Sequence, residues 1–131
     1  MSVDVEVLVV DDEEVVRKAV ERILAEDGLR VAAAGTAREA LDHPALAGCR
    51  LVLCDLMLPD LAGFEVLRTL QSRRPGLPVV MMTGYVTAAN ASRALEQGAA
   101  GFLPKPFDES ELRAAVAGAL AERGGREERL P

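Results

Sequence analysis

Leu51-Val52-Leu53-Cys54-Asp55-Leu56-Met57-Leu58-Pro59-Asp60 is the stretch on which the fold turns. An unbroken apolar run ends in a carboxylate, and a loop bearing a proline and a second acid begins. A short run with no polar alternation suits a strand covered on both faces, as in a parallel sheet packed between helix layers. Working outward, Val5 to Val10, Val79 to Met82 and Ala99 to Leu103 are almost continuously apolar in the same way. Leu29 to Ala34 is interrupted by Arg30, which predicts an edge strand. Between the runs, apolar residues recur at helical spacing: Val16, Val20, Ile23 and Leu24, then Phe64, Leu67 and Leu70, then Leu112, Val116 and Leu120. Strand and helix patterns alternate five times, which predicts an α/β fold, a doubly wound parallel five-stranded (βα)5 sheet.

Local signals agree with this reading. Thr36 with Glu39 and Asp108 with Glu111 have capping-box spacing, and Gly28 and Gly98 suit helix C-terminal caps. With 131 residues, half of them apolar and 27% charged, the chain fits one globular domain. We place that domain at residues 1–123 and read 124–131 as a flexible C-terminal tail or the start of a linker. The net charge of −6 and the absence of a basic patch argue against direct nucleic-acid binding. No apolar stretch approaches the roughly 20 residues that span a bilayer, so no membrane association and a cytoplasmic location are expected. Cys49 and Cys54 match no zinc or redox spacing, and Cys54 reads as a buried strand residue. His43, beside Pro44 and without a ligand partner, reads as an exposed loop residue.

In an open parallel sheet, ligands bind beyond the carboxyl ends of the strands, near the point where strand order reverses. There the first strand ends in Asp11-Asp12, the third in Asp55 and the fourth in Thr83, while the loop after the fifth presents Lys105. Three converging carboxylates repel one another unless a hard cation joins them, and Mg²⁺ fits best because it prefers oxygen ligands and leaves room for a phosphate oxygen; Mn²⁺ is an alternative. Three carboxylates against one Mg²⁺ and one lysine sum to zero, so converting one of them to an acyl phosphate leaves only a slight negative charge. Asp55 is the best nucleophile, because it closes an apolar strand at the sheet centre. Thr83 and Lys105 are placed to contact phosphoryl oxygens.

At this point the residues resemble a known family. Val9-Val10-Asp11-Asp12-Glu13, Asp55-Leu56-Met57-Leu58-Pro59, Met82-Thr83-Gly84 and Gly98-Ala99-Ala100-Gly101-Phe102-Leu103-Pro104-Lys105-Pro106-Phe107 together resemble the receiver domains of bacterial two-component response regulators. The resemblance covers about residues 4 to 122. It implies a flavodoxin-like strand order 2-1-3-4-5 and phosphoryl transfer to Asp55 from a sensor histidine kinase or a histidine phosphotransfer protein. It implies that Asp12, Asp55 and the backbone carbonyl of Met57 bind Mg²⁺ directly, Asp11 mainly through water, and that Lys105 contacts the phosphoryl group. It further implies a coupled switch pair, Thr83 and Phe102, a cis peptide at Lys105-Pro106, and an output face made of the fourth helix, fifth strand and fifth helix. That face would control a downstream protein, an output domain or a homodimer. Phe102 lacks a phenolic hydroxyl, so recognition through such a group is excluded. No DNA-binding, cyclase or kinase segment follows Glu122, so the chain is expected to be a free-standing receiver or the N-terminal part of a longer regulator or hybrid kinase.

Plainer readings stand beside these. Asp11 to Glu14 also suits an acidic first helical turn, and for Glu13 and Glu14 that reading is preferred. Thr83 alone reads as a cap, Phe102 alone as a core aromatic, and Pro59 with Gly63 as turn chemistry. Tyr85 is either a solvent-facing loop aromatic or a residue lying over the pocket. A phosphorylation-independent docking module is the main functional alternative. An aspartate-dependent phosphatase of the haloacid dehalogenase type is disfavoured, because Met57 stands where that chemistry needs a second acid. Catalysis is expected only as self-phosphorylation from donors and self-dephosphorylation.

Overall fold

The computed structural model describes residues 4–129, with side chains described up to residue 121. Five strands form one parallel sheet: β1 Val7–Val10, β2 Val31–Ala34, β3 Leu51–Asp55, β4 Val79–Thr83 and β5 Gly101–Pro104, in the order β2-β1-β3-β4-β5. The helices are α1 Glu14–Glu26, α2 Ala37–Leu41, α3 Gly63–Arg73, α4 Ala88–Glu96 and α5 Glu109–Arg129, with a 3-10 turn at Pro44–Ala47. Both expectations, fold class and strand order, are met. Every residue of β1, β3 and β4 is buried, which is why those runs show no alternation. Among the described residues no helix is long and apolar enough to cross a membrane.

The sheet separates two apolar layers. On one face Val20, Ile23 and Leu24 of α1 and Leu112, Val116 and Ala119 of α5 pack on Val7, Val9, Leu51 and Leu53. On the other, Phe64, Val66, Leu67 and Leu70 of α3 and Ala94 of α4 pack on Leu8, Val10, Val52 and Met81. Both cysteines are buried and unpaired, and burial raises the Cys54 thiol far above its ordinary value. Such a thiol is a packing residue. Across the surface, Arg113 of α5 meets Asp27 and Glu26 at 3.0 Å, and Arg22 of α1 meets Glu109 at 3.2 Å.

Element ends depart from expectation in instructive ways. Ala99 donates to Ala94 O at 2.9 Å, so it completes the end of α4, and β5 begins at Gly101. Leu29 does the same for α1 through Leu24 O at 3.0 Å, which delays β2 to Val31. In both cases the preceding glycine, Gly98 or Gly28, takes a positive φ. The Asp108–Glu111 capping box is reciprocal, with bonds of 2.8 and 3.0 Å. The Thr36–Glu39 box is half made: Thr36 caps Glu39 N–H at 3.1 Å, but the Glu39 carboxylate takes the N–H of Gly35 instead. His43 is not a bystander, since its Nδ1 accepts from Ala45 N–H at 3.0 Å and caps the 3-10 turn. Residues 124–129, expected as tail or linker, continue α5 as helical backbone; their side chains and residues 130–131 lie outside the described residues.

The loop from Leu56 to Ala62 is fixed at both ends. Met57 and Ala62 form an antiparallel bridge, and Gly63 donates to Leu56 O at 2.9 Å. Gly63 has no room for a side chain, because a β-carbon would collide with the Asp55 carbonyl oxygen and Leu56 Cα. At the loop tip, the Asp60 carboxylate accepts from both Ala37 and Arg38 N–H at 2.9 Å, capping α2 from a distant element. Those two backbone bonds hold its carboxyl below the usual range.

Two outcomes follow. Gly63→Ala is expected to destabilise the domain by about 1–3 kcal/mol, read from the urea midpoint, because backbone and not a pliable side chain occupies the space. For Asp60, a depressed folded-state pKa means that its contribution is fully present above the unfolded-state value near ~4 and is lost as pH falls through the lower folded value. Asp60→Ala should therefore lower the urea midpoint at neutral pH, and the gap from wild type should close in acid. A gap independent of pH would show that the charge is not involved.

Candidate functional site

Strand order reverses between β1 and β3, and the crevice at their carboxyl ends collects the predicted residues. Asp11 and Asp55 are buried beside each other, at 0% and 4% exposure, while Asp12 is exposed at the rim. One carboxylate oxygen from each of the three lies within 4.8 Å of the others. Lys105 Nζ reaches in from the loop after β5, 2.5 Å from Asp11 Oδ2 and 3.0 Å from Asp55 Oδ2. A third contact, at 3.3 Å, goes to Glu13 at the exposed edge. The Lys105–Pro106 peptide is cis, as the resemblance implied.

Opposing forces set the charge states. Burial raises the Asp11 carboxyl, and the neighbouring Asp55 charge adds to that, against the pull of Lys105 and the Glu13 N–H at 2.9 Å. For Lys105, burial works against the ammonium, but the Asp11 and Asp55 carboxylates outweigh it and hold the pKa above the ordinary lysine value. Asp55 Oδ1 accepts from Met57 N–H at 3.0 Å, and Oδ2 faces the ammonium. Both oxygens are thereby oriented.

Thr83, fully buried at the end of β4, accepts from Tyr85 N–H at 3.0 Å through Oγ1. Phe102 is half-buried against the layer containing Met81 and Ala94. Because Met81 pairs in register with Phe102 and side chains alternate along a strand, Thr83 and Phe102 share one face of the sheet. Met57 and Tyr85, at 58% and 68% exposure, line an open cleft of about 820 Å³ at Asp55, together with Val15 and Phe107. Tyr85 thus meets both readings: it faces solvent and it borders the site.

Asp11, Asp12, Asp55, Thr83 and Lys105 lie at this one end of the sheet, whereas Phe102 sits further back on β5 beside Met81, and the hard oxygen donors suit a divalent cation such as Mg²⁺. Sequence reasoning missed two supports. Asp60 fastens the loop that carries Met57, and Arg17 of α1 donates to the Asp11 carbonyl at 2.8 Å. Bonds to main-chain atoms of distant elements leave no spacing signature, so no motif announces them.

Known proteins share the sequence pattern and the fold. The family model described as "Response regulator receiver domain" matches residues 7–117. The response regulator protein PilR of Pseudomonas aeruginosa is 38% identical over 124 residues, covering 95% of this chain and 28% of that protein. A CheY-like receiver domain protein from Methanospirillum hungatei superposes with a TM-score of 0.85 at 31% identity, covering 93% of this chain and 98% of that one. A receiver domain protein from Clostridium thermocellum gives 0.84 at 28% identity, with 92% and 97% covered. The chain spans 24% to 58% of the length of the curated relatives it matches first. By family model, sequence and fold together, the chain belongs to the response regulator receiver domains.

Proposed function

We propose that this receiver domain is a phosphorylation-activated switch in which Asp55 accepts a phosphoryl group from a sensor histidine kinase or histidine phosphotransfer protein. The observation that carries the reading is the meeting of Asp11, Asp12 and Asp55 around one point with Lys105 against two of them. Asp12, Asp55 and the Met57 carbonyl would hold Mg²⁺ directly, with Asp11 acting mainly through water. When bound, Mg²⁺ supplies a Lewis acid that neutralises charge on the transferring phosphoryl oxygens.

The chain's own residues do the rest. An Asp55 carboxylate oxygen attacks phosphorus in line, the bond from phosphorus to the donor breaks, and the leaving group departs with the electron pair. Lys105 makes a charge-assisted contact to the new phosphoryl group. Thr83 gives up its bond to the Tyr85 N–H and turns toward the phosphoryl oxygens, and Phe102, on the same sheet face, moves inward into the space released. The face of α4, β5 and α5 then differs between the two states. That difference lets a downstream protein, an output domain or a second copy distinguish them. With a net charge of −6, we propose protein rather than nucleic acid as the direct partner, and a cytoplasmic setting. Several relatives are named as transcriptional regulators, and that activity belongs to those longer proteins.

Incubation with Mg²⁺ and acetyl phosphate, followed by intact mass, should add one phosphoryl group to wild type and none to Asp55→Asn or to wild type with excess chelator. No addition to wild type would sink the proposal. The Met57 side chain lies at the cleft mouth and offers no polar group to orient water, so Met57→Asn or Met57→Glu is expected to shorten the lifetime of the phosphorylated form. Timed phosphate release checks this, and an equal or longer lifetime contradicts it.

A further inference from the structure

The main chain of Asp11 is held from behind by a residue that the chemistry above does not use. Arg17, one turn into α1, is half-buried, and its Nη1 donates to Asp11 O at 2.8 Å. Among the described residues, no carboxylate lies within ion-pair distance of its guanidinium, whereas Arg22 and Arg113 are each matched to more than one acid. The Glu14 charge feels Arg17 from a distance, but no direct carboxylate fork of the kind guanidinium groups favour is made. Here the guanidinium is laid against one carbonyl at the tip of β1. Its lane passes Gly35, where a β-carbon would rest 3.4 Å from Nη1, and the Gly35 N–H is itself anchored on Glu39 at 3.0 Å.

We propose that Arg17 is a positioning residue for the cation site, fixing the tip of β1 so that the Asp11 and Asp12 carboxylates are presented together. The inference rests on reading the acid trio as a Mg²⁺ site. Four contacts hold Asp11: its N–H to Ala34 O, its Oδ1 from Glu13 N–H, its Oδ2 against Lys105, and its carbonyl from Arg17. The Lys105 contact occupies a carboxylate oxygen and competes with a cation. The Arg17 contact uses the carbonyl, leaves the carboxylate free, and persists when the site is loaded. Groups that orient ligands from one layer out have large effects on affinity without touching the metal.

The test uses the full chain as wild type, Arg17→Ala and Arg17→Lys, titrated with Mg²⁺ and followed by amide NMR shifts and by the rise in melting temperature that binding to the folded state produces. Arg17→Ala should keep its fold and weaken Mg²⁺ roughly tenfold. The Mg²⁺ concentration giving half-maximal phosphorylation should rise in step, with the rate at saturating Mg²⁺ unchanged, a split that general loss of stability does not produce. Arg17→Lys, which keeps the charge but not the planar fork, should fall between the two. Wild-type Mg²⁺ affinity in folded Arg17→Ala overturns the proposal. If Arg17→Ala does not fold, Arg17→Lys decides: weakened Mg²⁺ binding supports it and unchanged binding overturns it. A wild type with no Mg²⁺ response overturns the functional reading as well, and is told apart because the loss precedes any substitution.

Discussion

Two carboxylates buried side by side at neighbouring strand tips form the constraint that organises this domain. Asp11 and Asp55 are almost wholly out of water, and neither folding nor chemistry tolerates that without a positive partner. Lys105 is that partner, delivered from the far end of the chain by the loop after β5. The ammonium closes the sheet electrostatically: it joins the neighbouring tips of β1 and β3 to the end of β5, across the intervening β4. A buried pair of this kind is poor value as stability alone, since an apolar set of equal volume often does as well. Three clustered carboxylates against one lysine leave the site net negative, so stability alone does not account for the arrangement.

The fold was readable because its physics is repetitive. β1, β3 and β4 are covered on both faces, so their residues had to be apolar at every position, and the helices had to turn one apolar face inward. Asp55, Thr83 and Lys105 stood out as polar groups at the end of such runs. The start of β5 was misplaced because Ala99 is as apolar as a strand residue yet spends its N–H on the end of α4. His43 was undervalued for a related reason: capping through Nδ1 depends on a local turn that Pro44 imposes, and composition does not reveal it.

The supporting contacts of the site were harder to read. Asp60 and Arg17 act on backbone atoms of other elements, at sequence separations of 23 and 6 residues, and neither periodicity nor a motif encodes such a bond. Both nonetheless converge on the corner between β2 and α2, one directly and the other beside Gly35. The acid cluster is therefore braced from the side opposite Lys105. The α4 side is built differently: among the described residues of that helix only Ala94 is buried, so little apolar surface ties it down. The acids are firmly braced, while α4 is lightly held.

The two edges of the sheet are four-residue strands, β2 and β5. So short a border offers a neighbouring chain few unpaired amides, and lateral growth into larger sheets is discouraged. Blunt margins of this kind guard the domain against edge-to-edge sheet pairing between its own copies.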